Sequence, residues 1–428
     1  MEPPLSRRQR NSARAQGGEI GPGPLFRVTL PFLAGYFVSY VYRSINAIIG
    51  PELAREFGLS AAGLGLLSGI YFFSFALFQL PLGVLLDRYG PRRVNAALLM
   101  LAALGGLWFA LAGSTTGLTL ARALIGLGVS GCLMSSFSAF ALWYPAERLA
   151  TMNGIAFATG MLGAIMVTVP LEVALRVLTW REVFYFVVGL TVTVSLVLVF
   201  VVPEKTSTRR AVPLADQLRE FASLARDPAF WRMALCICSS QMAAVSLGTL
   251  WVATWLRDVL GYTQAEVARA LLLFNVVMFV AYLGFGRVSD GMTWRGRSTL
   301  PLLAGGVATA SACLALILLG VRAGALALWC GFFACATASV LSYALFSRRY
   351  SKEMAGRVNS ALNVAVFIGM FSGQGAVGLV LNLWPPTATG YAPEAYAWAL
   401  GGLWLVQAAG LAWLWSGRRL FGAPGDAV

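Results

Sequence analysis

Twelve apolar stretches, each near 20 residues long and separated by short polar breaks, decide what this chain can fold into. They fall near 28–49, 63–86, 94–112, 118–142, 154–174, 183–202, 233–255, 267–288, 300–319, 324–345, 360–383 and 395–415. A helix of roughly 20 residues covers about 30 Å, the thickness of a bilayer's hydrocarbon layer. With 58% hydrophobic and only 12% charged residues, the 428-residue chain has too few polar side chains to clothe a water-facing surface. The solvent for most of its surface is therefore lipid. Backbone groups in lipid must be satisfied within the segment, so the expected fold is all-α and integral to the membrane, with twelve transmembrane helices.

The net charge of +14 would suit a nucleic-acid partner if the cations formed one patch. They are instead sorted by topology. Of 32 Lys and Arg, 24 fall in the N-terminal tail, the even-numbered breaks and the C-terminal tail; six lie toward the opposite side, and Arg43 and Arg122 lie within spans. That asymmetry places both termini in the cytoplasm of a bacterial inner membrane and excludes nucleic acid as the partner. The six cysteines all fall inside spans with neither zinc-type nor disulfide spacing, so they are packing residues, and no metal or cofactor is expected.

The longest break, 203–232, separates six spans from six and carries Leu214, Leu218, Phe221 and Leu224 at helical spacing, which predicts a short amphipathic helix on the membrane surface. The organisation expected is a disordered tail (1–27), a six-helix bundle (28–202), this linker (203–232), a second six-helix bundle (233–416) and a short tail (417–428). Two local matches support duplication. Gly83, Asp87 and Arg92 recur as Gly286, Asp290 and Arg295 at a shift of 203 residues, and the spacing of Glu147 to Asn153 recurs in Glu353 to Asn359 at a shift of 206. Parallel six-helix halves put a substrate site at their interface, near the bilayer midplane.

The break after the second span reads Gly83-Val84-Leu85-Leu86-Asp87-Arg88-Tyr89-Gly90-Pro91-Arg92-Arg93. Gly90 and Pro91 demand a tight turn, and Asp87 with Arg88, Arg92 and Arg93 can form charge-assisted hydrogen bonds at that face. This segment resembles the G-x-L-x-D-R-x-G-x-R-R signature of the major facilitator superfamily, with every defining position filled. The resemblance implies two six-helix pseudo-repeat bundles in the major facilitator fold. It also implies secondary transport by alternating access, in which this cluster, with Asp290 and Arg295 in the second half, latches one conformation. In the fourth span Arg122, followed by Gly126, Gly128 and Gly131, resembles a second family pattern that implies a coupling role for the arginine; the glycines permit tight helix contact.

The first span carries the substrate chemistry. Tyr36, Tyr40 and Arg43 share one helical stripe, and a guanidinium several turns inside a span costs about 2.5–3.5 kcal/mol on insertion scales, which marks it as functional. Its forked donors suit a carboxylate or phosphate. The segment resembles the first helix of the organophosphate and organic-anion permeases of the superfamily, where such an arginine binds the anionic group. Those organophosphate exchangers pair it with a second arginine in the seventh span. Here 233–255 offers Gln241, Ser246 and Thr249 but no cation, which points to a monoanion such as a small carboxylate. Polar positions in other spans complete the candidate lining: Asn275, and a stripe of Asn359, Asn363, Phe367, Phe371 and Gln374.

No Asp or Glu lies near the middle of a span, Glu172 approaches the far end of the fifth, and histidine is absent. A proton symporter keeps a titratable group at depth. Three routes stay open: Glu172 couples protons, the solute carries its own, or the chain exchanges anions. The leading reading is a monomeric secondary transporter of a small organic anion across a lipid bilayer, using protons or a counter-anion. Drug efflux by proton antiport and a transport-inactive sensor are the alternatives. No nucleophile and base pair, metal cluster or nucleotide loop suggests an enzyme.

Overall fold

The computed structural model describes residues 25–205, 226–342, 352–385 and 390–418, with a few positions between them. Among these residues the first half consists of α1 (Leu30–Ser44), α2 (Asn46–Phe57), α3 (Ala61–Leu111), α4 (Thr115–Val129), α5 (Cys132–Trp143), α6 (Ala146–Met166), α7 (Val169–Ala174) and α8 (Trp180–Phe200). The second half consists of α9 (Pro228–Ser246), α10 (Val252–Leu260), α11 (Gln264–Trp294), α12 (Leu300–Leu318), α13 (Ala325–Ala336), α14 (Lys352–Leu381) and α15 (Pro393–Ser416). Among the described residues eleven helical segments are long and apolar enough to cross a membrane, and a shorter apolar one, Ala325–Leu341, stands where the tenth span was expected, beside residues outside the description. The predicted linker helix around Leu214, Leu218 and Phe221 lies outside the described residues, as do residues 1–24 and 419–428 of the two tails.

Large side chains on the surface face the solvent the composition called for. Phe186, Phe200, Leu379 and Trp398 are each more than 60% exposed, which lipid tolerates and water would not. Inside, Trp180, Trp251 and Trp329 are fully buried anchors of the two halves.

A loop was expected between the second and third spans, but α3 runs through 51 residues with one break, at Gly90 (φ 77°, ψ 158°). Glycine reaches that backbone region without steric cost, and Pro91 then starts the next helical run, where its missing N–H is harmless. The kink therefore does the work of a loop. About 29 residues separate it from the start of α3, or roughly 44 Å at helical rise, so Gly90 marks one face of the molecule and Gly58 the other.

At the Gly58 face both halves use the same device. Gly58 (φ 61°) ends α2 and Gly261 (φ 72°) ends α10, 203 residues apart. Ser60 then caps α3 by accepting from the Gly63 N–H, and Thr263 caps α11 through a reciprocal pair with Glu266. The first and seventh spans are also interrupted at matching depth, at Ile45 and at the π-helical turn Leu247–Trp251.

The halves meet most extensively where α3 packs along α14. A Cβ built on Gly65 would stand 2.8 Å from the Gln374 carbonyl oxygen and 3.2 Å from the Trp251 ring. Such spacing is open only to a helix with no side chain there. Toward the same face Gly50 lies against Leu250, and the Gln264 amide donates to the Ile48 carbonyl at 3.0 Å. The two bundles are thus sealed against each other from mid-depth to the Gly58 face.

Candidate solute site

Arg43 sits at the base of that seal, on the last turn of α1 and half-buried. Its guanidinium carbon is 4.6 Å from the Tyr40 ring centroid, 5.7 Å from Phe75 and 5.4 Å from Phe367. Phe75 and Phe367 stack on each other at 4.0 Å, one from α3 and one from α14. The arginine is therefore caged by rings from both halves. Each cation–π contact contributes about 0.5–2 kcal/mol toward holding a desolvated guanidinium. Rings solvate its faces, and among its edge donors Nε is buried and has no hydrogen-bond partner, while the Tyr71 hydroxyl lies within hydrogen-bond reach of the guanidinium.

Tyr36 and Tyr40 join this cluster as the sequence stripe implied, edge to face at 5.1 Å. They lie against α6, where a Cβ on Gly160 would come within 2.9 Å of both rings. Across the half interface Tyr282 of α11 stands within electrostatic reach of Tyr36. Tyr71 was not anticipated. Its hydroxyl donates to the Ser39 carbonyl at 3.3 Å and faces the Arg43 guanidinium. The signal for it was a phenol inside the run Tyr71-Phe72-Phe73, since a hydroxyl in a span needs a partner.

Arg122 does not snorkel to an interface; it is 1% exposed. Gly126, one turn further along α4, lets that helix close on α3 where a Cβ would overlap the Tyr71 carbonyl. The Arg122 guanidinium consequently lies over the Tyr71 ring, 5.0 Å from its centroid. Its Nε and Nη1 have no hydrogen-bond partner.

The remaining lining candidates are dispersed. Gln241 donates to the Ser339 hydroxyl at 3.0 Å and Asn275 to the Leu271 carbonyl at 2.8 Å, so both amides serve their own half. Asn363 is half-buried on α14, also with a partner. Gln374, two turns beyond Phe367, belongs to the seal beside Gly65, with its side-chain amide fully buried and unpaired. Glu172 lies in α7, where it forms a two-point pair with Arg176 at 3.1 Å. At the Gly90 face Arg93 pairs with Glu204 at 2.5 Å, Arg92 reaches Glu204 at 4.0 Å and donates to the Val199 carbonyl, and Arg88 lies over the Tyr89 ring at 5.2 Å. Asp87 is engaged as well, while Gly83, Asp290 and Arg295 are exposed. The cluster thus ties α3 to the end of α8.

Among the described residues no group of His, Cys, Asp and Glu could hold a metal ion. The arrangement can do one thing well: offer a fixed, unneutralised cation at a joint between two bundles.

Residues 32–374 match the family model described as Major Facilitator Superfamily. A probable sulfoacetate transporter of Cupriavidus necator is 27% identical over 149 residues, 35% of each chain. A probable galactarate/D-glucarate transporter of Escherichia coli is 28% identical over 188 residues, 41% of this chain and 40% of that one. The aligned stretch thus spans well under half of these curated relatives. In fold, the chain is similar to a bacterial homolog of the human lysosomal transporter Spinster, solved inward-facing and unoccupied, with a TM-score of 0.78, 18% identity, and coverage of 94% of this chain and 98% of that one.

Proposed function

Because the chain belongs to the major facilitator superfamily and is a multi-pass membrane transporter, we propose that its cargo is a small organic anion, with a carboxylate or similar oxyanion taken up by Arg43. The observation that carries this reading is the arginine's surroundings. Among the described residues Arg43 forms no ion pair, and three aromatic rings hold it in place of a carboxylate. An incoming oxyanion has no internal rival to displace, and a forked contact relieves the cost of the unpaired charge. The relatives named for sulfoacetate and galactarate/D-glucarate transport support the same class of solute.

Phe367 gives the contact a mechanical consequence. The cage holds rings from both bundles, so an anion that draws the guanidinium away from Phe75 and Phe367 acts on the joint between them. A ligand shifts such an equilibrium only through different contacts in the two states, and this cage supplies a difference. With the Gly58 face sealed beyond Arg43, the solute reaches the site from the Gly90 face. The excess of basic residues there makes that face cytoplasmic in our reading, with both termini on it. The Arg92, Arg93 and Glu204 cluster is the part that remakes its contacts during cycling.

Glu172 already has Arg176 as its partner, so coupling falls to a proton carried by the solute or to anion exchange. Reconstituted protein tests the function. Proteoliposomes should accumulate or exchange a labelled organic anion from a panel that includes D-glucarate and sulfoacetate, and should ignore organic cations. Transport of cations and no anion would replace this reading with drug efflux.

A further inference from the structure

We propose that the site is built for a solute bearing two negative charges, the second balanced by Arg122; this rests on the anion-transport reading above. Arg122 is 1% exposed, and its Nε and Nη1 have no hydrogen-bond partner. Among the described residues neither it nor Arg43 forms an ion pair, the described pairs being Arg92 and Arg93 with Glu204, Arg176 with Glu172, Arg181 with Glu56, and Arg257 with Asp258. Arginine keeps its charge in a protein interior. Among the described residues the first bundle therefore holds two cations without a counter-charge, Arg122 buried and Arg43 half-buried, on the two sides of one residue. Arg122 lies over the ring of Tyr71 at 5.0 Å, and the hydroxyl of Tyr71 faces Arg43.

The electrostatic consequence follows from counting. A monoanion on Arg43 leaves one positive charge uncompensated beside the occupied site, whereas a dianion neutralises both. Arg122 need not touch the solute, because charge–charge interaction falls only as the inverse of distance and is weakly screened away from water. The expectation of a monoanion rested on the seventh span lacking a cation. The second cation enters instead from α4, brought to Tyr71 by the close approach at Gly126. If Arg122 were only a packing element, its loss would weaken all ligands alike. If it supplies the second charge, its loss acts on dianions selectively.

D-Glucarate and D-gluconate share a six-carbon backbone and differ by one carboxylate; sulfoacetate and acetate differ by one sulfonate. Dissociation constants of all four, measured by calorimetry on the full chain in lipid nanodiscs, test the proposal. Wild type should bind the dianion of each pair at least about tenfold more tightly, about 1.4 kcal/mol. Arg122→Gln should bring the ratio close to one, chiefly by weakening the dianions, and Arg122→Lys should restore it. Equal binding within the pairs by wild type, or a ratio that survives in a folded Arg122→Gln protein, overturns the two-charge inference and leaves the anion reading standing. If none of the four binds, both fall. Should Arg122→Gln fail to fold, the wild-type ratio decides alone.

Discussion

At the end of the first span Glu56 precedes the closing Gly58, and at the end of the seventh Asp258 precedes the closing Gly261. Each carboxylate turns to the last helix of its own half. Glu56 accepts from the Trp180 indole at 2.8 Å and from Arg181 at 2.5 Å, both on α8. Asp258 accepts from the Tyr396 hydroxyl of α15 at 2.8 Å, from the Tyr391 backbone N–H at 3.1 Å and from its neighbour Arg257 at 3.1 Å. The Glu56 side chain is 36% exposed and that of Asp258 is 0%. The plan is shared and the burial is not. The same contrast holds at depth, where the first half presents Arg43, Arg122, Tyr36, Tyr40 and Tyr71 while the second offers Phe367, Tyr282 and the amides of Gln241 and Asn275, each paired within its own half. Duplicated bundles keep what the backbone needs, a left-handed glycine and a capped helix start, and are free to diverge wherever side chains meet the interface or the solute.

The largest stability effect should come from Asp258. Asp258→Ala strands a buried hydroxyl, an amide and a guanidinium together, and should cost about 3 kcal/mol, read as a lowered melting temperature of the purified protein. An unchanged melting temperature would break the claimed difference between the halves.

Next comes the seal. Gly65→Val forces a side chain against the Gln374 carbonyl, and overpacking of this kind costs about 1–3 kcal/mol in the sealed state alone. The population should shift toward a form open at the Gly58 face, and spin labels at Ser60 and Leu383 should move apart. Unaltered distances would mean that α3 and α14 can part elsewhere.

Glu56 should matter least. Glu56 and its partner Arg181 are each partly exposed, so Glu56→Gln should cost less than about 1 kcal/mol. The Arg181 hydrogen bond holds the Glu56 carboxyl below its ordinary range. A lowered folded value stabilises above the ordinary carboxylate pKa and is lost as the pH falls through the lowered one, so wild type and Glu56→Gln should converge in stability as the pH falls below the ordinary carboxylate range of about 4.3. A loss as large as that of Asp258→Ala would erase the distinction drawn between the two carboxylates.

The apolar stretches, the turn at Gly90 and the stripe of Tyr36, Tyr40 and Arg43 were legible in the sequence because each is a local pattern with a local cause. The site's remaining walls were not. Phe75 looks like any lipid-facing residue until α14 brings Phe367 onto it, and Tyr71 gains meaning only when Gly126 draws α4 across it. The burial of Arg122 likewise depends on three helices at once. Gln374 shared a helical stripe with Phe367, yet the tight approach at Gly65 places it in the seal.

The central claim is that Arg43 pairs with the anionic group of the solute, and equilibrium binding of the tightest anion from the panel tests it most directly. Binding should weaken by about 2–5 kcal/mol in Arg43→Ala. Arg43→Lys should fall between, because it keeps the charge and loses the fork, while both variants retain wild-type melting within a few degrees. Normal anion binding by a folded Arg43→Ala protein would contradict the account and reduce Arg43 to a strut between the bundles.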